Sequence, residues 1–206
     1  MSHIGDAVAA VSGRLHETNS AREAGLAACR TVIKSSSSAI RAVHLCQPDV
    51  TKAKLADAAA ALETARTALV KHPAVYYAGF LHDAAKEYVE ARATAALVVG
   101  DPVPSADELG VEGPAWLNGM AEAASELRRH ALDRLRDNKV EVAEALLARM
   151  DEVFGELVLI DLPDAVTGGL RRTLDSLRAV IERTRGDITI AVLQSRLQEA
   201  LDRAVD

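Results

Sequence analysis

The sequence has little of several things, and each shortage narrows its function. It has only two cysteines, Cys29 and Cys46. Both fall in one apparently helical stretch, where a separation of 17 residues spans about 25 Å, too far for a disulfide between them. Aromatic residues make up 3% of the chain, so a surface that grips nucleic acid by stacking bases on aromatic rings has little to draw on. There is no excess of positive charge: 30 acidic residues against 24 basic ones give a formal charge of −6. That excludes the uniformly basic face of a duplex-DNA binder and requires any nucleic-acid site to be concentrated. No apolar run approaches the ~20 residues that cross a bilayer, and Met1 to Asp6 lack a basic flank followed by an apolar core. A reduced, cytoplasmic protein with no membrane segment is the expectation.

Catalytic signatures are missing too. No Gly-rich phosphate loop, Cys-x-x-Cys pair, His-Glu-x-x-His or Gly-x-Ser-x-Gly sequence occurs, which leaves zinc sites, P-loop chemistry and the α/β-hydrolase nucleophile without support. No histidine follows a glutamate by three residues, so a ferritin-like di-iron centre falls as well.

What is present is helix-forming material. Ala, Leu, Val, Glu and Arg dominate, and 49% of residues are hydrophobic, enough for a chain of 206 residues to bury roughly 70% of its unfolded surface. The six prolines, at positions 48, 73, 102, 104, 114 and 163, all lie between periodic segments. The pattern predicts about seven helices: Ile4–Cys46, Val50–Lys71, Ala74–Val99, Pro114–Arg136, Val140–Ile160, one ending at Arg185, and Ile188–Ala204. Gly186-Asp187 reads as stop and N-cap between the last two. Pro102 to Gly113 reads as loop, with a helical turn at Ser105-Ala106-Asp107-Glu108. The Ser35–Ser38 run marks a bend or an exposed face of the first helix. No strand, repeat or linker is evident, so the reading is all-α: a single-domain bundle over residues 1–206, its long helices joined by short connections as antiparallel neighbours.

Acidic residues pair on two of these helices. Glu87 and Glu90 lie three apart on one face of the third, with Asp83 a turn earlier, and Glu122 and Glu126 lie four apart on the fourth. Carboxylates forced together repel, and protonation or an oxygen-seeking cation such as Mg²⁺ or Mn²⁺ relieves the repulsion. The same four residues could equally be solvated, since Glu is common on helix surfaces. Arg128, Arg129 and His130 follow Glu126 within about a turn and are candidate nucleic-acid contacts. Two basic stretches, Arg128 to Lys139 and Arg171 to Arg185, read either as phosphate contacts or as salt-bridged helix faces. Tyr76, Tyr77, Phe80 and Trp116 read as core or interface.

A resemblance sharpens this. The run His72-Pro73-Ala74-Val75-Tyr76-Tyr77-Ala78-Gly79-Phe80-Leu81-His82-Asp83-Ala84-Ala85-Lys86-Glu87-Tyr88-Val89-Glu90-Ala91 resembles the translin family, and its Glu-Tyr-Val-Glu-Ala end resembles the catalytic branch, translin-associated factor X. Asp107-Glu108-Leu109-Gly110-Val111, Trp116-Leu117-Asn118-Gly119 through Ser125-Glu126-Leu127-Arg128-Arg129, and Leu174 through Thr189 are similar to further stretches of that family in the same order. The resemblance covers most of the chain and is strongest from Lys71 to Arg136. It implies a translin-like fold of seven helices, a homo-oligomeric shell, usually an octamer, and binding of single-stranded RNA or DNA. It also implies RNA hydrolysis with Mg²⁺ held by Glu87, Glu90, Glu122 and Glu126. Glu122 stands where the family has aspartate, which lengthens that arm by one methylene. The alternatives are a non-catalytic single-stranded RNA- or DNA-binding shell and a MazG-type nucleotide pyrophosphohydrolase. The latter's second acidic pair is spaced three apart rather than four.

Overall fold

The computed structural model describes residues 3–205, and every regular element among them is helical. The helices are α1 (His3–His44), α2 (Pro48–Leu69), α3 (Pro73–Tyr76), α4 (Phe80–Val99), α5 (Ala106–Leu109), α6 (Gly113–Arg136), α7 (Val140–Leu157), α8 (Asp164–Thr167) and α9 (Leu170–Val205). No described helix is long and apolar enough to cross a membrane. Cys29 is buried, Cys46 is exposed, and both are free thiols.

The all-α reading holds, with three changes of element, one of them the single turn α8 in what reads as a loop before Gly168. The expected third helix is split into α3 and α4, because Gly79 takes φ +102°, a conformation closed to most other residues and incompatible with a continuing helix. The expected break at Gly186-Asp187 is absent. A glycine inside a helix costs only about 1 kcal/mol, and Asp187, instead of capping a new helix, pairs with Arg128 of α6 at 2.8 Å. Ser35–Ser38 forms no bend: α1 runs through it, with Ser37 exposed, Ser38 partly so, and Ser35 and Ser36 buried against the bundle. The helical turn after Ser105 does form, closed by a capping box in which Ser105 Oγ accepts from Glu108 N and Ser105 N donates to the Glu108 carboxylate.

One apolar core runs through the molecule. Leu62 and Leu69 of α2, Val89 of α4, Leu127 of α6, Leu146 and Met150 of α7, and Leu177 of α9 are all fully buried within it. Helix α6 is central, packing on α4, α7 and α9, while α1 packs on α2 and α4. Helices α1 and α2 are antiparallel, with Gly25 against Leu69 and Thr18 against His72.

Helices α4 and α6 depart from the antiparallel expectation. His82 lies by Pro114 and Asn118, Lys86 and Val89 by Gly119, and Glu90 by Glu122, so the two run in the same direction. Residues 100–112 make this possible, since ~13 residues at ~3.3 Å each reach further than the roughly 30 Å length of α4. Two hydrogen bonds fix the return: Arg149 donates to Leu97 O at the end of α4, and Trp116 Nε1 donates to Pro104 O.

Asn118 ties the far end of the bundle to α6. Its buried amide donates to Pro114 O and Thr167 O, and its oxygen accepts from Thr173 Oγ1 at 2.7 Å. Asn118→Ala strands a buried carbonyl and a hydroxyl, and is expected to cost about 2–3 kcal/mol. Urea denaturation checks this, and a loss under 1 kcal/mol would mean that the network contributes little.

Candidate metal centre

Helices α4 and α6 meet closely at Gly119, where a Cβ would lie 2.7 Å from Val89 Cβ and 2.8 Å from Lys86 O. The glutamates of the two helices therefore face one another across a short gap. Glu87, Glu90 and Glu122 each offer an oxygen lying within 4.8 Å of the other two, and all three are half-buried.

Such crowding shows in their acidity. Burial raises Glu90 first, and the charges of Glu87, Glu122 and Glu126 add to it, pushing the carboxyl up to about 8. Glu87 is also raised, mainly by burial, with Glu122 and Asp83 adding to the rise and Lys86 opposing it. At neutral pH the cluster holds a proton on Glu90 in place of full charge. A divalent ion would relieve the same repulsion, and the all-oxygen donor set suits Mg²⁺ or Mn²⁺.

Glu126, the fourth expected ligand, is close enough to raise Glu90 but is engaged elsewhere. Its Oε1 lies 2.6 Å from His44 Nε2 at the end of α1. His44 Nδ1 is buried without a hydrogen-bond partner, and Nε2–H is the ring's donor to the carboxylate. Glu122 is engaged as well: the Lys86 ammonium donates to its Oε1 at 2.7 Å. Neither His44 nor Lys86 stood out in the sequence. Lys86 is the residue before Glu87, and its reach across the seam depends on α4 and α6 running in parallel. His44 is brought in from a helix 82 residues away.

The three residues expected to touch RNA are placed differently from one another. Arg129 is exposed on α6. Arg128 is bound to α9, ion-paired with Asp187 and donating to Thr184 Oγ1 at 3.1 Å. His130 is buried, 6.1 Å from the His44 ring, and burial lowers its basicity, helped by Arg134 and His44; it does not face solvent and is not open to a strand. In the two basic stretches, Arg134 pairs with Asp137, Arg136 with Asp133, Arg171 with Asp161, and Arg185 with Asp151. The salt-bridged reading holds for these. Tyr77, expected in the core or an interface, is 71% exposed.

No protein-family model matches the chain. An uncharacterized protein of Methanocaldococcus jannaschii is 28% identical over 128 residues, covering 62% of this chain and 57% of its own length; the match thus spans little more than half of that relative. Among solved structures, AfC3PO matches in two, one of them a complex with duplex RNA, each with a TM-score of 0.83 and 31% identity, over 91% of this chain and 97% of the other. Apo-NeC3PO matches with a TM-score of 0.82 at 21% identity, over 89% of this chain and 96% of that one, a likeness of fold alone.

Proposed function

The chain belongs to the translin family, and we propose that it binds RNA and cuts single-stranded RNA with Mg²⁺, or Mn²⁺, held between α4 and α6. The observation that carries this is the convergence of Glu87, Glu90 and Glu122 oxygens within 4.8 Å of one another. Glu126, one turn further along α6 and bonded to His44, would complete the set on turning toward the ion. The ion would lower the pKa of a bound water and neutralise charge growing on the scissile phosphate. The protein's part is to fix the carboxylates on two rigid helices, with no histidine needed as base. RNA binding draws support from AfC3PO, which was solved with duplex RNA, and Arg129 is the exposed cation nearest in sequence to Glu126. The same likeness favours RNA over the pyrophosphohydrolase alternative.

We also propose assembly as a homo-oligomer, with an octamer as the expected size. Apolar residues are left uncovered at both ends of the chain: Ile4, Val8, Val11 and Leu15 on α1, and Leu193, Leu197 and Leu201 on α9, each between 46% and 74% exposed. Burying these stripes against further copies would remove them from water.

A specific observation favours a second reading, a binding shell without catalysis: Lys86 and His44 already engage two of the four carboxylates. The deciding experiment cleaves a fluorescently labelled single strand, and the same sequence as a duplex, with Mg²⁺. Wild type is compared with wild type in EDTA and with Glu126→Ala of the same oligomeric size. Cutting of the single strand by wild type, lost in both controls, is the expected result. A wild type that binds RNA but never cuts it selects the binding shell.

A further inference from the structure

The most informative group outside the expected site is Lys86. Its ammonium bridges from α4 to α6 and holds Glu122 at 2.7 Å, in a pair that is partly shielded from water, with side-chain exposures of 24% and 31%. It is also the positive charge that opposes the proton-holding tendency of both Glu87 and Glu90. One cation thus serves all three members of the carboxylate set.

A divalent ion cannot be added to this arrangement without consequence. Glu122 is both the partner of Lys86 and one of the three converging carboxylates, so an ion taking Glu122 would meet an ammonium a few ångströms away, a repulsive contact in a half-buried setting. Lysine can resolve it, because its compact charge sits on a flexible four-carbon stem and part of the side chain already reaches solvent. The displaced ammonium would remain tethered beside the centre, on the residue adjacent to Glu87. There it would face the phosphodiester, which four carboxylates otherwise repel and which needs cations about it.

We propose that Lys86 has two successive roles: it occupies Glu122 while no divalent cation is bound, and on cation binding it releases Glu122 and turns to hold a phosphate oxygen of the RNA. This rests on the reading of the glutamates as a metal centre. It makes Lys86 first a competitor of the metal and then a ligand of the substrate, a combination that a lysine serving only to clamp α4 to α6 would not have.

The test uses Lys86→Met, of similar length and no charge, and Lys86→Arg, which keeps the charge. Mn²⁺ binding is measured without RNA at pH 8, by electron paramagnetic resonance of free Mn²⁺, alongside thermal melting and single-strand cleavage. Removing the competitor is expected to tighten Mn²⁺ binding by about tenfold while cleavage falls by roughly a hundredfold. Lys86→Arg should bind Mn²⁺ as weakly as wild type and recover part of the cleavage. Should Lys86→Met fail to fold, Lys86→Gln takes its place in the same comparison. If the neutral variant folds and binds Mn²⁺ no tighter than wild type, or cleaves as well, the two-role assignment is overturned while the metal centre stands. If wild type itself binds no Mn²⁺, the metal centre and this assignment fall together.

Discussion

Glu90→Gln is expected to abolish the proposed single-strand cleavage and to weaken the pH dependence of the metal-free protein's stability. Both effects follow from where the carboxyl sits. In the folded, metal-free chain Glu90 keeps its proton up to about pH 8, whereas in the unfolded chain it loses it near its ordinary value, about 4.3. Between those limits the folded state holds more protons than the unfolded one, so stability is greatest at the acid end and falls as pH rises through the window. Glutamine is neutral throughout. The variant should match wild type at about pH 4 and melt at a higher temperature than wild type above pH 8, with both freed of metal. Under the proposed chemistry the same substitution removes an oxyanion ligand, and cleavage should fall by at least ~10³-fold, the equivalent of several kcal/mol of charge stabilisation.

Wild-type affinity for Mg²⁺ has a matching signature. It should rise with pH up to about 8, where Glu90 no longer needs to give up a proton, and level off beyond. Melting curves at half-unit pH steps and calorimetric titration at pH 6, 7 and 8.5 check both statements. A wild-type melting temperature that does not decline from pH 5 to 8 would remove the basis for a protonated Glu90.

Gly119→Ala is expected to damage the site without touching any glutamate. The added Cβ would meet Val89 Cβ at 2.7 Å and the Lys86 carbonyl at 2.8 Å; the second is backbone and cannot swing aside. Relief therefore requires α4 and α6 to separate, and overpacking of this kind costs about 1–3 kcal/mol. The same separation pulls Glu87 and Glu90 away from Glu122, and a shift on the order of 1 Å at a reacting centre can cost about a hundredfold in rate. Gly186→Ala is the control. It lies mid-helix on α9 with nothing within 4 Å of its added Cβ, and should stabilise by roughly 0.5–1 kcal/mol with cleavage unchanged. Equal stability and activity of Gly119→Ala and wild type would show that the seam tolerates more space than its geometry implies.

Much of this protein could be read from the chain. The helical period, the placement of proline between apolar stripes and the Ser105–Glu108 capping box are local properties, set within a few residues, and they determined the all-α class and most helix limits. Glu87 with Glu90, and Glu122 with Glu126, were legible for the same reason, since three- and four-residue spacing fixes which side chains share a helix face.

What the sequence left open depended on contacts between distant residues. Gly186-Asp187 has the local chemistry of a break, yet α9 continues because Asp187 found Arg128 on another helix. The parallel run of α4 and α6 depends on how a loop of about a dozen residues folds back, which no periodicity encodes. That direction decided that Glu87, Glu90 and Glu122 meet, that Lys86 reaches Glu122, and that Glu126 is held by His44 from α1. Spacing along one helix fixes a face; only packing decides what that face meets, because the energy of a buried charge lies in partners that the local sequence does not name.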